Sequence, residues 1–118
     1  MSDATERFFE ELARRGHEPA LSRVTGRVRF EIVDGRHTQH WLVAIESGDI
    51  TVSRKKGKAD CTIRGDIDLF DRLARGEDNA MAATLRGALT CAGEVDLLLA
   101  VQKLFPGPSP DRAKRSAG

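Results

Sequence analysis

The chain has 118 residues, 40% of them hydrophobic and 31% charged, with a formal net charge of +1 and 5% aromatics without a tyrosine. This size and balance describe one ordinary globular domain, long enough to bury a core without staples. The small net charge excludes a global field that recruits nucleic acid or an acidic partner, and the scarcity of rings excludes a base-stacking platform, so no nucleic-acid partner is expected. No apolar run approaches the roughly 20 residues that cross a bilayer, and Met1 to Glu6 is polar rather than signal-like. A cytoplasmic protein with Cys61 and Cys91 as reduced thiols is the expectation.

The first segment, SDATERFFEELARRG, is punctuated as a helix. Asp3 and Glu6 form a capping-box pattern. Phe8, Phe9, Leu12 and Ala13 share a face, Arg14 and Arg15 suit the negative end, and Gly16 stops the helix. Residues 17–25 form a connector containing Pro19. GRVRFEIVDGRHTQHWLVAIE then reads as a hairpin. Val28, Phe30 and Ile32 alternate with Arg27, Arg29 and Glu31, and Asp34-Gly35 signals a two-residue turn. In the second arm Trp41, Val43 and Ile45 alternate with His40, Leu42 and Ala44.

Ser47-Gly48 turns the chain into a third strand with Ile50 and Val52. RKKGK is a loop, and ADCTIRG is a fourth strand with Cys61 and Ile63 on one face. Such alternation predicts a sheet covered on one side, its bare face carrying Arg27, Arg29 and Glu31.

DIDLFDRLARG predicts a second helix, capped by Asp66, striped by Ile67, Phe70, Leu73 and Ala74, and ended by Gly76. DNAMAATLRG is a short third helix, residues 86–92 a fifth strand and 94–105 the last helix. The order predicts a two-layer α+β domain, with a five-stranded, mostly antiparallel sheet and helices covering one face. PGPSPDRAKRSAG, residues 106–118, reads as a disordered tail, which leaves 1–105 as the domain.

The last helix poses a question. Val95, Leu97, Leu98, Leu99, Ala100, Val101, Leu104 and Phe105 leave only Asp96, Gln102 and Lys103 for water. A surface helix of a small domain is apolar on one face. Here two sides must be buried, in core, in a dimer interface or along a cavity.

Candidate chemistry is sparse. His37 and His40 point to opposite faces of a strand, and no second ligand cluster exists, so no metal is expected. Neither cysteine has a histidine placed as a base, and no nucleophile elbow is present, so no catalytic residue and no cofactor are expected. Asp66, Asp68, Asp71, Glu77 and Asp78 read as caps and a wet helix face. Arg86 falls on the wet face of the fifth strand, opposite Leu85 and Leu89. The RKKGK loop suits transient contact with anionic lipid headgroups, at ~1 kcal/mol per basic residue.

Several pieces stand in a recognisable order: Ala59-Asp60-x-Thr62-Ile63, Leu73-Ala74-x-Gly76, Asn79, Gly87-x-Leu89, Gly93 and Lys103-Leu104-Phe105. With the hairpin ending in Trp41 and the Ser47-Gly48 turn, the chain from about Val28 to Phe105 resembles the sterol carrier protein 2 (SCP2-like) lipid-binding domains. It departs at Ala88, where family members often carry lysine, and at Arg86, where they often carry an uncharged polar residue.

The resemblance implies a hydrophobic cavity between the sheet and the C-terminal helices, holding an apolar or amphipathic ligand such as a fatty acid, acyl or sterol-like lipid. Its implied lining is Trp41, Phe70, Leu73, Met81, Leu85, Leu89, Leu98, Val101, Leu104 and Phe105, each of which is core filler in the absence of a cavity. It also puts Cys61 and Cys91 on neighbouring strands. The expectation is non-enzymatic lipid binding and transport by a monomer or homodimer. The alternatives are a small enzyme acting on a lipid- or polyketide-like metabolite, and a recruiting or dimerising module with a collapsed pocket.

Overall fold

The computed structural model describes residues 3–55 and 57–105, so the expected tail and Lys56 of the RKKGK loop lie outside the described residues. The first helix, α1 (Asp3–Arg15), starts at the expected residue, although the side chain proposed to cap it also lies outside what is described. Gly16 ends it at φ +66°, in the left-handed region that glycine enters without strain. A short 3-10 turn (Pro19–Leu21) leads into β1 (Thr25–Asp34), β2 (His37–Glu46) and β3 (Asp49–Ser53).

Asp34 pairs with His37, so the first two-residue loop is Gly35-Arg36, one residue later than expected. The second is Ser47-Gly48, with φ of 51° and 89°, the mirror-image turn that matches strand twist. Strand β4 (Cys61–Asp66), helices α2 (Ile67–Ala74) and α3 (Ala80–Leu85), strand β5 (Thr90–Gly93), helix α4 (Val95–Val101) and a final 3-10 turn (Gln102–Leu104) follow.

The five strands lie in the order β3-β2-β1-β4-β5. All pairs are antiparallel except β1 with β4. The parallel pair changes how the polar face is used. Strand β3 ends with Ser53 opposite Leu42, and β4 begins with Cys61 opposite Val28. The connection therefore crosses β2 and β1 at one level, about 14 Å over three strand spacings, well within reach of a seven-residue segment.

It crosses on the outer face. Arg29 Nη1 donates to the Gly57 carbonyl (3.2 Å), and Gly57 lies against Leu42. The expected bare face thus carries a strap, and Arg29 and Glu31 beneath it are half-buried while Arg27 stays exposed. Beside it Arg64 Nη1 donates to Glu31 Oε1 (3.1 Å).

The inner face is filled. Phe9 stacks on Trp41 (4.7 Å between centroids), meets Phe30 edge-on (5.1 Å), and Phe30 meets Phe70 in turn (6.0 Å). Leu97 of α4 packs directly on Gly26, where a Cβ would stand 2.8 Å from it. Helix α1 is held at both ends. Thr5, fully buried, donates through Oγ1 to Asp71 Oδ1 (2.6 Å), and its backbone N–H donates to the same oxygen (3.2 Å). A carboxylate on α2 thereby satisfies a free donor in the first turn of α1. At the other end Ile50 N donates to Gly16 O (2.8 Å), and His17 Nδ1 lies 2.8 Å from Asp49 Oδ1.

Two boundaries differ from expectation. Residues 86–89 are not strand, because Gly87, at φ +80°, closes α3, and the N–H groups of Ala88 and Leu89 both return to Ala83 O. Arg86 is the residue that caps α3, and its Nη2 donates to Asp78 Oδ2 (2.6 Å). The last helix divides into α4 and a 3-10 turn, burying Leu97, Leu98, Ala100, Val101 and Leu104 while Val95 and Leu99 are 61% and 44% exposed.

Candidate functional site

A cleft of about 790 Å³ opens beside the filled core rather than within it. One wall is α1, with Ala4, Arg7, Phe8, Glu11, Leu12 and Arg15. The end of α2 (Ala74) with Arg75 just after it, and Lys103, Leu104 and Phe105 after α4, close the other side, with Glu18 at one end. The adjacent phenylalanines of α1 explain its position. Successive helix residues point about 100° apart, so Phe9 enters the core while Phe8 faces the cleft and stacks on Phe105 at 4.4 Å, with planes 4° apart.

Leu12 and Leu104 are buried and form the floor. The rim is charged and exposed. Arg15 pairs with Glu18, Arg14 Nη1 with Glu11 Oε1 (2.8 Å), and Arg75 Nη1 loosely with Glu77 Oε1 (3.8 Å). Among the described residues Arg7 and Lys103 have no carboxylate partner. An apolar floor beside unpaired cations is amphipathic. It can take an apolar body and an anionic head together.

The charged contacts elsewhere in the helical layer are closed on themselves. Asp78 accepts from Arg86 and, more distantly, from Arg72 (3.5 Å). The hydrogen bond from Arg86 holds its carboxyl below the usual carboxylate range. Among the described residues no group of three or more histidine, cysteine or acidic side chains is placed to hold a metal ion, and no helix is long and apolar enough to cross a membrane.

Residues 7–106 match the SCP-2 sterol transfer family. The chain belongs to that family. No curated protein matches it. Among solved structures, the palmitated SCP2L2 of Aedes aegypti is 16% identical with a TM-score of 0.68, covering 92% of this chain and 97% of that one. The sterol carrier protein-2 of Aedes aegypti, solved with palmitate, is 20% identical with a TM-score of 0.68, covering 87% and 94%. A stereoselective inverting sec-alkylsulfatase from Pseudomonas sp. contains the same fold, at 20% identity and a TM-score of 0.64, over 87% of this chain and 16% of the enzyme. At such identities these likenesses establish the SCP2 fold.

Within this SCP2 domain the residues singled out from sequence fall into three groups. Trp41, Phe70, Leu73, Leu89, Leu98, Val101 and Leu104 are all buried in one continuous core cluster. Met81 and Phe105 are half-buried, Met81 with its sulfur 3.9 Å from Gln102 Nε2. Leu85 is 80% exposed and joins neither core nor cleft. Only Leu104 and Phe105 reach the cleft, and Leu104 belongs to both. Sequence reasoning missed Arg7, Phe8, Leu12 and Arg75 as cleft residues. The usable signal was Phe8-Phe9, since two adjacent rings on one helix point about 100° apart and so meet different neighbours.

Proposed function

We propose that this protein binds and carries an amphiphile with an acyl body and an anionic head, the body lying on Phe8, Leu12, Leu104 and Phe105 and the head meeting Arg7, Lys103 and Arg75. The observation that carries this reading is the pairing of that apolar floor with Arg7 and Lys103, which have no carboxylate partner among the described residues. Family membership and the palmitate held by two Aedes aegypti relatives support it. The cleft volume of 790 Å³ lies within the roughly 300–1,000 Å³ range of small-molecule sites.

Desolvation supplies the driving force. Burying about 300 Å² of apolar ligand surface contributes about 7 kcal/mol gross at the usual coefficient, before ordering costs. Leu104 and Leu12 line the cleft and belong to the core as well. A longer acyl chain extends past them toward Leu73, Leu98 and Val101, and then Trp41, Phe70, Leu89 and Met81, as those side chains part. The exposed cations around the mouth suit brief contact with anionic headgroups while the ligand is exchanged. Carriage within the cytoplasm is part of the same proposal.

Titration with palmitate and with hexadecanol, followed by native mass spectrometry and amide chemical shifts, tests the reading. Binding of palmitate with shifts centred on α1 and residues 103–105, and weaker binding of the alcohol, is the expected result. Equal affinity for both ligands, or shifts confined to the strands, overturns it.

A further inference from the structure

Cys61 of β4 and Cys91 of β5 meet on the inner face of the sheet with their Sγ atoms 3.1 Å apart. The register explains the approach. Cys61 lies directly opposite Gly93, and Cys91 opposite Ile63, so the two are diagonal neighbours. Glycine places no side chain directly across from Cys61, so the diagonal Cys91 is free to approach it. Gly93 is itself fixed, at φ +116° and with a Cβ position only 2.2 Å from Asp60 O. Both thiols are free. A disulfide needs sulfurs about 2 Å apart, so closure asks for about 1 Å of movement.

The pair sits at a consequential place. Strand β5 is an edge strand of four residues, joined to the sheet through β4 alone among the described residues. It leads directly into α4 and the turn that carries Lys103, Leu104 and Phe105 to the cleft.

We propose that Cys61 and Cys91 form a reversible dithiol–disulfide latch, closed by hydrogen peroxide, that fastens β5 and the segment following it to the sheet. Cys91, half-buried, is the thiol that peroxide reaches first. Cys61 is 1% exposed, and burial together with its contact to Cys91 pushes its thiol up to about 12, which makes it a poor first nucleophile. The Cys91 sulfur attacks the peroxide, forming an S–O bond and breaking the O–O bond. The departing hydroxide takes the Cys91 proton as water and leaves a sulfenic acid. The Cys61 sulfur then attacks the Cys91 sulfur. The S–S bond forms, the S–O bond breaks, and hydroxide leaves with the Cys61 proton as a second water. Two thiols lose two electrons to one peroxide, and a dithiol reductant reverses the change.

The test treats the reduced full chain with stoichiometric hydrogen peroxide. The wild type should lose two hydrogens by intact mass, and both thiols should resist alkylation in denaturant until dithiothreitol is added. Its melting temperature should rise by on the order of 10 °C, since the bond closes a loop of about 30 residues, and β5 amides should exchange more slowly. Cys61→Ser, or Cys61→Ala if serine prevents folding, should stop at a sulfenic acid on Cys91 that dimedone traps, and Cys91→Ser should leave Cys61 reduced. A wild type that reaches sulfinic acid on Cys91 while Cys61 still alkylates, or that forms only disulfide-linked dimers, overturns the latch. No ligand enters these readouts, so they stand or fall separately from palmitate binding.

Discussion

One helix serves two regions of this molecule, and the regions differ in how completely they are filled. On the inner side of α1, Phe9 is fully buried against Trp41 and Phe30. On the adjoining side, Phe8 stacks on Phe105 at the edge of an open cleft rimmed by Arg7, Arg75 and Lys103. Close packing makes the first region intolerant of lost volume, whereas solvent can fill what is removed from the second. If the cleft is the proposed binding site, stability and ligand binding are carried by different sides of the same thirteen-residue helix, and substitution should separate them.

The largest expected effect lies in the core. Phe9→Ala should cost about 3–5 kcal/mol, the usual range for a buried phenylalanine whose neighbours cannot collapse onto the space, read from urea unfolding. Phe8→Ala should cost about 1 kcal/mol or less and should weaken palmitate binding instead. Equal losses of stability at the two positions break the division between the regions.

Leu104 tests the boundary, because it is 4% exposed yet lines the cleft. In Leu104→Asp the new carboxylate can draw water through the cleft, so the protein should stay folded with a loss of about 2–5 kcal/mol, the usual range for a lost buried leucine, and should no longer bind palmitate. A well-folded variant that binds like the wild type removes the cleft floor from the site.

These contrasts also explain what was legible in the sequence. The meander β1–β3 was readable because period-two alternation in Val28, Phe30, Ile32, Trp41, Val43 and Ile45 maps directly onto one buried face. The overall α+β order followed from it. The strap across the outer face was not readable, since it depends on β4 joining β1 in parallel, a pairing made between residues 33 positions apart. Strand β5 was misplaced because Gly87, taken as a strand residue, ends α3.

The candidate site was legible only at its edge. Leu104 and Phe105 were singled out, but the apolar pattern that marks a cavity wall also marks packed core, as Trp41, Phe70 and Leu73 show. The charged half of the cleft was invisible. Arg7 and Lys103 look like any other wet residues until the fold brings α1 beside residues 103–105, where neither pairs with a carboxylate among the described residues.

Those two cations give the next contrast. Arg7→Glu and Lys103→Glu should each leave stability within about 0.5 kcal/mol of wild type, as exposed substitutions do. Each should weaken palmitate binding roughly fivefold at low salt, corresponding to ~1 kcal/mol, and the deficit should shrink as salt screens the rim. Hexadecanol binding should not change. A deficit of the same size for the alcohol means that the side chains act through packing rather than charge.

The smallest expected effect concerns the cations that do have a partner. Arg86 and Arg72 converge on Asp78, away from the cleft, and hold its carboxyl below the ordinary range. Because the folded state binds that proton less tightly than the unfolded chain does, this contact stabilises the fold above the unfolded carboxylate value of about 3.9. The contribution is lost as pH falls below that value and through the lower folded one. Arg86 is 45% exposed at its side chain, and solvated pairs of this kind contribute about 0.2–1 kcal/mol. Asp78→Asn should therefore lower the melting temperature slightly at pH 7, and the difference from wild type should vanish as the pH approaches 2, with palmitate binding at pH 7 unchanged. If Asp78→Asn weakens palmitate binding as much as Arg7→Glu does, the clasp and the cleft are one electrostatic unit, and the separation between a binding side and a stabilising side of the helical layer fails.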